Sequence, residues 1–165
     1  PMHFLMDLLL EDPRPPLKTG AHEPEASNSW SSLSPTGTLP TARYYHTAVW
    51  GISSSGKHGF YIFGGDASNS WSSLSPTGTL PTARYYHTAV WGISSSGEYG
   101  FYIFGGHDGG LLNDLHFYCQ ASNSWSLLSP TGTLPTARYY HTAVWGISSS
   151  GKHGFYIFGG WTGSR

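Results

Sequence analysis

At 165 residues the chain has the length of one ordinary domain, and only 10% of it is charged, while glycine, serine, threonine and aromatic residues abound, a mixture that suits short strands and tight turns better than helices. The formal net charge is −1 with no run of lysine or arginine, so nucleic acid and anionic membrane, which need a basic patch to displace counterions, are not expected partners. A single cysteine, Cys119, cannot form an internal disulfide and is compatible with a reducing, cytoplasmic setting.

Residues 1–25 stand apart from the rest of the chain. Met2 to Leu10 is apolar apart from Asp7, far shorter than the ~20 residues that span a bilayer. No Lys or Arg precedes this stretch and no small-residue cleavage site comes after it, which argues against a signal peptide. A short helix or frayed tail is expected, stopped by Pro13, Pro15 and Pro16. The chain opens on Pro1, as a piece of a longer product would.

From Ala26 the chain repeats itself. Ala26–Gly65 returns as Ala67–Gly106 and as Ala121–Gly160. The first and third copies differ only at Ser32 against Leu127; the second departs from the first at Glu98 for Lys57 and Tyr99 for His58. Trp30 to Trp71 is 41 residues and Trp71 to Trp125 is 54. The difference lies at one junction, where His107 to Gln120 separates the second and third copies and Asp66 alone separates the first two. The longer period is near the ~50 residues of one blade-type repeat.

Within each copy, Tyr45–Trp50 is rich in aromatic and β-branched residues, and Phe60–Phe63 forms a second run. Phe-Tyr-Ile-Phe has no polar alternation, so both its faces are expected to be buried between neighbouring sheets. Gly64 and Gly65 end that strand, Ser34 to Thr38 is loop chemistry, and His107 to Gly110 signals a turn.

These features resemble the kelch repeat: a double glycine at Gly105-Gly106, then Tyr118, Trp125 seven residues later, and Arg138 in the next loop. The resemblance runs from Ser27 to Gly160, with one departure, Cys119 where family members usually carry Asp. It implies an all-β, partial (open) kelch-type β-propeller, with residues 26–165 as the propeller fragment. The one full four-stranded blade would comprise Tyr86–Trp91, Gly100–Phe104, Leu112–Tyr118 and Ser124–Leu128. The preceding blade would have strands Tyr45–Trp50 and Phe60–Gly64 and an outer strand near Trp71, but no third strand. An orphan outer strand would stand at Trp30, and two strands, Tyr140–Trp145 and Gly154–Phe158, would come after the full blade. Ser75 to Tyr85 would have to cross a blade ~17–20 Å tall, which eleven residues can span. Closed propellers use ~4–8 blades, so uncovered apolar faces and self-association through them are expected.

Three sets of residues recur as candidate sites. The pairs Tyr44-Tyr45, Tyr85-Tyr86 and Tyr139-Tyr140 precede the inner strands, a junction that in kelch proteins lies at one mouth of the propeller. Tyrosine is enriched in binding hot spots, and strand alternation would bury one of each pair and leave the other for a partner. Arg43, Arg84 and Arg138 are either carboxylate clamps for a partner or, as the resemblance implies, structural donors to loop carbonyls. His46, His87 and His141 lack a second ligand at metal spacing, so no metal or other cofactor is expected. No nucleotide-binding glycine pattern occurs. Cys119 has no evident cationic neighbour to activate it, and Asp108 and Asp114 flank a turn that capping explains more simply than acid–base chemistry.

Near-identical copies place the same residues in every blade, whereas catalysis needs different residues in different roles at one place. The expected function is therefore a non-enzymatic protein-interaction module, a scaffold or adaptor with a protein partner. One alternative is a fragment of a galactose-oxidase-like copper oxidase, which Cys119 is badly placed to serve. Another is a truncated product without independent function.

Overall fold

The computed structural model describes residues 8–9, 43–52, 56, 58–65 and 75–163. Regular structure among them is all strand. Three hairpins repeat one register: β2 (Thr47–Ile52) with β3 (His58–Phe63), β5 (Thr88–Ile93) with β6 (Tyr99–Phe104), and β9 (Tyr139–Ile147) with β10 (His153–Trp161). Trp50 faces Phe60, Trp91 faces Phe101 and Trp145 faces Phe155 across the respective ladders. The serine-rich links of the second and third hairpins are tight turns. Gly97 and Gly151 donate to the carbonyls of Ser94 and Ser148 at 3.0 and 2.9 Å, with φ of 85° and 75° that glycine adopts without penalty.

The middle blade is complete. β6 pairs with β7 (Leu115–Cys119), which pairs with β8 (Ser124–Leu128), all antiparallel. Its outer strand matches the sequence expectation; the inner and third strands start later than expected. The inner strand begins at Thr88 because Tyr86 has a φ of 59°, outside the pleat. The third begins at Leu115 because the Leu112 backbone is engaged elsewhere, donating to Gly106 at 3.0 Å and accepting from Arg138 at 2.9 Å. The segment expected to be a plain crossing loop contributes β4 (Thr77–Gly78), which lies parallel to the outer edge of β8. Thr77 and Thr79 donate to the carbonyls of Asn123 and Trp125 at 3.1 and 2.9 Å, so the crossing covers an edge that would otherwise be open.

The first blade corrects the sequence reading in another way. It was expected to lack a third strand. Instead Leu8 and Leu9 form β1, antiparallel to β3, with Leu8 opposite Phe60 and Leu9 opposite Gly59. In the complete blade Tyr118 and Cys119 stand opposite the equivalent Phe101 and Gly100. Two residues of the non-repeat segment thus take the missing strand's place in its register, where the free edge of β3 offers unpaired backbone groups. The strands expected at Trp30 and near Trp71 lie outside the described residues, as does the rest of the N-terminal segment.

The sheets stack through their inner strands in the order β2, β5, β9. One apolar cluster, including Val49, Tyr61, Phe63, Phe101 and Trp125, fills the first junction. Another, around Val90, Tyr102 and Phe117, packs against Trp145 and Phe155 at the second. Burying each such side chain contributes ~1.5–3 kcal/mol. Both-face burial holds for the middle run, where Phe101, Tyr102, Ile103 and Phe104 are all buried. It fails in β10, where Phe158 is 82% exposed and no sheet of the described residues lies beyond it. The architecture is an open arc of stacked antiparallel sheets.

Candidate functional site

The arginines shape the end of each blade from which the tyrosines project. Each Nη1 donates to a glycine carbonyl at the end of its own hairpin: Arg43 to Gly64 at 3.0 Å, Arg84 to Gly105 at 3.1 Å and Arg138 to Gly159 at 2.7 Å. Arg84 is buried and forms a bidentate pair with Asp114, at 2.5 and 2.7 Å. Its Nε and Nη2 also reach the carbonyl and hydroxyl of Thr82, at 3.1 and 3.0 Å. All five guanidinium donors are thereby used within the chain, so Arg84 is not available to clamp a partner. Burial alone would raise the Asp114 pKa, but hydrogen bonds from Arg84 and His116 win and hold it well below the usual carboxylate range. Asp108 accepts from Thr82 at 2.8 Å and from the Gly110 backbone at 3.4 Å, which is turn capping, and the two aspartates do not share a site.

The tyrosine pairs depart from simple alternation. Tyr45, Tyr86 and Tyr140 have φ of 62°, 59° and 57°, the left-handed region that costs a non-glycine residue ~1–3 kcal/mol. That kink interrupts the pleat at each pair, even where Tyr139 and Tyr140 open β9, so simple alternation does not decide which ring is buried. Tyr44 and Tyr45 are both exposed, Tyr85 and Tyr86 are both half-buried, and Tyr140 is exposed beside a half-buried Tyr139. The second tyrosines make a row across the three blades, with ring centroids 4.2 Å apart from Tyr45 to Tyr86 and 4.1 Å from Tyr86 to Tyr140. Tyr86 hydrogen-bonds with the side chains of Tyr140 and Tyr45, which pushes its pKa up beyond the ordinary phenol range and keeps it neutral. The Tyr140 amide donates to the Tyr86 carbonyl at 3.2 Å, tying two blades together beneath the rings.

Two flanking residues were missed in the sequence. His107 Nδ1, which accepts from the Gly109 amide at 3.1 Å, also accepts from the Tyr85 hydroxyl at 2.9 Å, and the ring meets Tyr139 edge-on at 5.8 Å. Trp161 packs on Tyr139 at 5.3 Å. The signal was present: the residue after the double glycine is Asp66, His107 and Trp161 in the three copies, a variable position beside otherwise nearly constant ones.

Two of the three recurrent histidines serve as clasps between blades. His87 Nε2 meets Thr47 Oγ1 at 2.7 Å, and His141 Nε2 meets Thr88 Oγ1 at 2.6 Å. Desolvation lowers their pKa values to about 3 and about 4, so both are neutral at neutral pH. No cluster of three potential metal ligands occurs among the described residues. Cys119 is buried in the second junction, with its thiol 3.4 Å from Glu98 Oε2.

The repeated hairpins, the glycine-anchoring arginines and the Tyr118–Trp125 pairing across β7 and β8 agree with a comparison against known families. The KLHDC2/KLHL20/DRC7 Kelch-repeats domain matches residues 66–165. The chain belongs to the kelch-repeat family. No curated protein matches it. Kelch-repeat domains generally mediate protein–protein interaction and are typically non-enzymatic scaffolds. The kelch glycine pairs are explained by the blades themselves: a methyl group on Gly64 or Gly105 would meet the carbonyl of Arg84 or Arg138 in the following loop at 2.7 Å.

Proposed function

We propose that this kelch arc binds a protein partner through the tyrosine row, with Tyr45, Tyr86 and Tyr140 at its centre, Tyr44, Tyr85 and Tyr139 beside them, and His107 and Trp161 as flanking contacts. The single observation that carries this reading is the row itself: three left-handed tyrosines, one per blade, with neighbouring ring centroids 4.2 and 4.1 Å apart. Strain that recurs at one surface is a mark of a working site, since packing alone could be achieved with glycine at the same φ. Rigid amphipathic rings lose little entropy on binding, and neutral hydroxyls suit backbone carbonyls and amides of a peptide segment better than a charged ligand.

Arg43 and Arg138 support the row from below by fixing the glycine carbonyls and are not its contact residues in this proposal. Residues 26–165 act as the binding unit, and a reducing, cytoplasmic compartment fits the lone buried Cys119. The test is affinity capture with a Tyr45, Tyr86 and Tyr140 triple alanine variant beside the parent chain. Capture of a partner by the parent and its loss in the variant is expected, with the thermal transition of the variant preserved. Unchanged capture removes the row from the binding surface.

A further inference from the structure

We infer that two copies of this chain close head to tail into a six-bladed ring, the Trp50 face of each copy docking on the Phe158 face of the other. The two internal junctions are built from the same contacts, and each contact has an unfilled third instance at the ends of the arc. In the first pair of blades the Trp91 ring covers Gly51 so closely that a methyl there would collide with it. In the second, Trp145 covers Gly92, where a methyl would meet the ring at 2.7 Å. At the ends, Trp50 is 45% exposed and Gly146 has only Tyr156 of its own blade over it.

The polar clasps form the same series. His87 reaches Thr47 and His141 reaches Thr88, while His46 and Thr142, the next members, are both exposed. Gly64 and Gly105 are closed over by the Arg84 and Arg138 loops of the following blade, whereas nothing lies within 4 Å of the equivalent position on Gly159. Phe63 and Phe104 are 1% and 3% exposed inside the junctions, and Phe158, their counterpart, is 82% exposed.

One end of the arc therefore offers the tryptophan and histidine that the other end is shaped to receive. The hairpin sequences that make the internal junctions are nearly identical to those at the ends, so the hairpin-to-hairpin part of the fit is present twice within the chain; the first junction adds Tyr118 and Trp125 of the middle blade. An interface of two different faces propagates head to tail and forms a ring when its rotation closes. Each copy brings three hairpins among its described residues, and six is the only multiple of three within the ~4–8 blades of closed propellers. The tyrosine row runs to this surface at Tyr45 and Tyr140, but the test varies Trp50 and Phe158 and reads association of the chain with itself, so the two proposals fail independently.

The experiment is sedimentation and light scattering of the full 165-residue chain, its Phe158→Asp variant, its Trp50→Ala variant and an equimolar mixture of the two. The parent is expected at twice the chain mass, and each variant alone at the monomer mass, because every head-to-tail contact uses both faces. The mixture is expected to regain dimer, since one variant keeps an intact Trp50 face and the other an intact Phe158 face; that recovery also shows that both are folded. A monomeric parent, whose ends would then await blades from elsewhere, overturns the inference. So does a series of larger open-ended species, a dimer lost in only one variant, or a mixture that stays monomeric.

Discussion

The middle and last hairpins carry the same Phe-Tyr-Ile-Phe run and lead different lives. In β6 the run is buried on both faces, with Phe104 3% exposed; in β10 Phe158 is 82% exposed. Backbone pairing is the same in both, with Trp91 opposite Phe101 and Trp145 opposite Phe155. Local sequence therefore sets the hairpin, and the neighbouring sheet decides what the hairpin contributes to stability. A repeat protein of this kind is held by its junctions as much as by its blades.

The largest expected effect breaks that contrast directly. Phe104→Ala should cost ~3–5 kcal/mol, and Phe158→Ala less than ~0.5 kcal/mol, in urea unfolding at a dilution where the chain is monomeric. Equal costs would mean that the last blade is covered in solution. The next effect separates the middle blade's arginine from its copies. Asp114→Asn leaves the buried Arg84 without its countercharge and should cost ~2–4 kcal/mol, read from the urea midpoint. Arg138, whose guanidinium donates to the carbonyls of Thr136 and Gly159, should cost only ~1 kcal/mol when changed to Ala, by the same measurement.

A pH titration tests the junctions. His87 and His141 are neutral in the fold and take up protons on unfolding below their ordinary value of 6.5. Stability should thus rise with pH from about 3 for His87 and about 4 for His141 up to 6.5, and change little through these groups above that. At pH 5 the His87 contribution alone is a loss of ~2 kcal/mol relative to pH 7, with a smaller one from His141, measurable as a shift in urea midpoint. A flat profile between pH 5 and 7 would show that the clasps are open to water. The smallest stability effect is at the mouth. Tyr140→Gly relieves left-handed strain and gives up a ring contact, so stability should stay within ~1 kcal/mol of the parent while partner capture falls.

Much of this was legible in the residues. Aromatic and β-branched runs marked the hairpins, glycine and serine marked their turns, and the outer strand of the middle blade was placed at Ser124–Leu128. The rest depended on partners distant in the chain. Nothing local in Leu8-Leu9 says that it will pair with Phe60 and Gly59, because only the vacancy beside β3 selects it. The left-handed tyrosines were illegible for the opposite reason: steric preference argues against that φ, and alternation gave the wrong burial for the pairs. Arg84 could be singled out from Arg43 and Arg138 only through Asp114, which lies in the one stretch that interrupts the repeats.

The position after each double glycine has a further consequence. His107 and Trp161 lie against the tyrosines, yet the arginine and glycine contacts that hold the blades do not involve their side chains. The position after the double glycine therefore differs in every copy while the architecture is kept. If the row binds as proposed, a change at that position alters the contact surface and leaves the blades as they are.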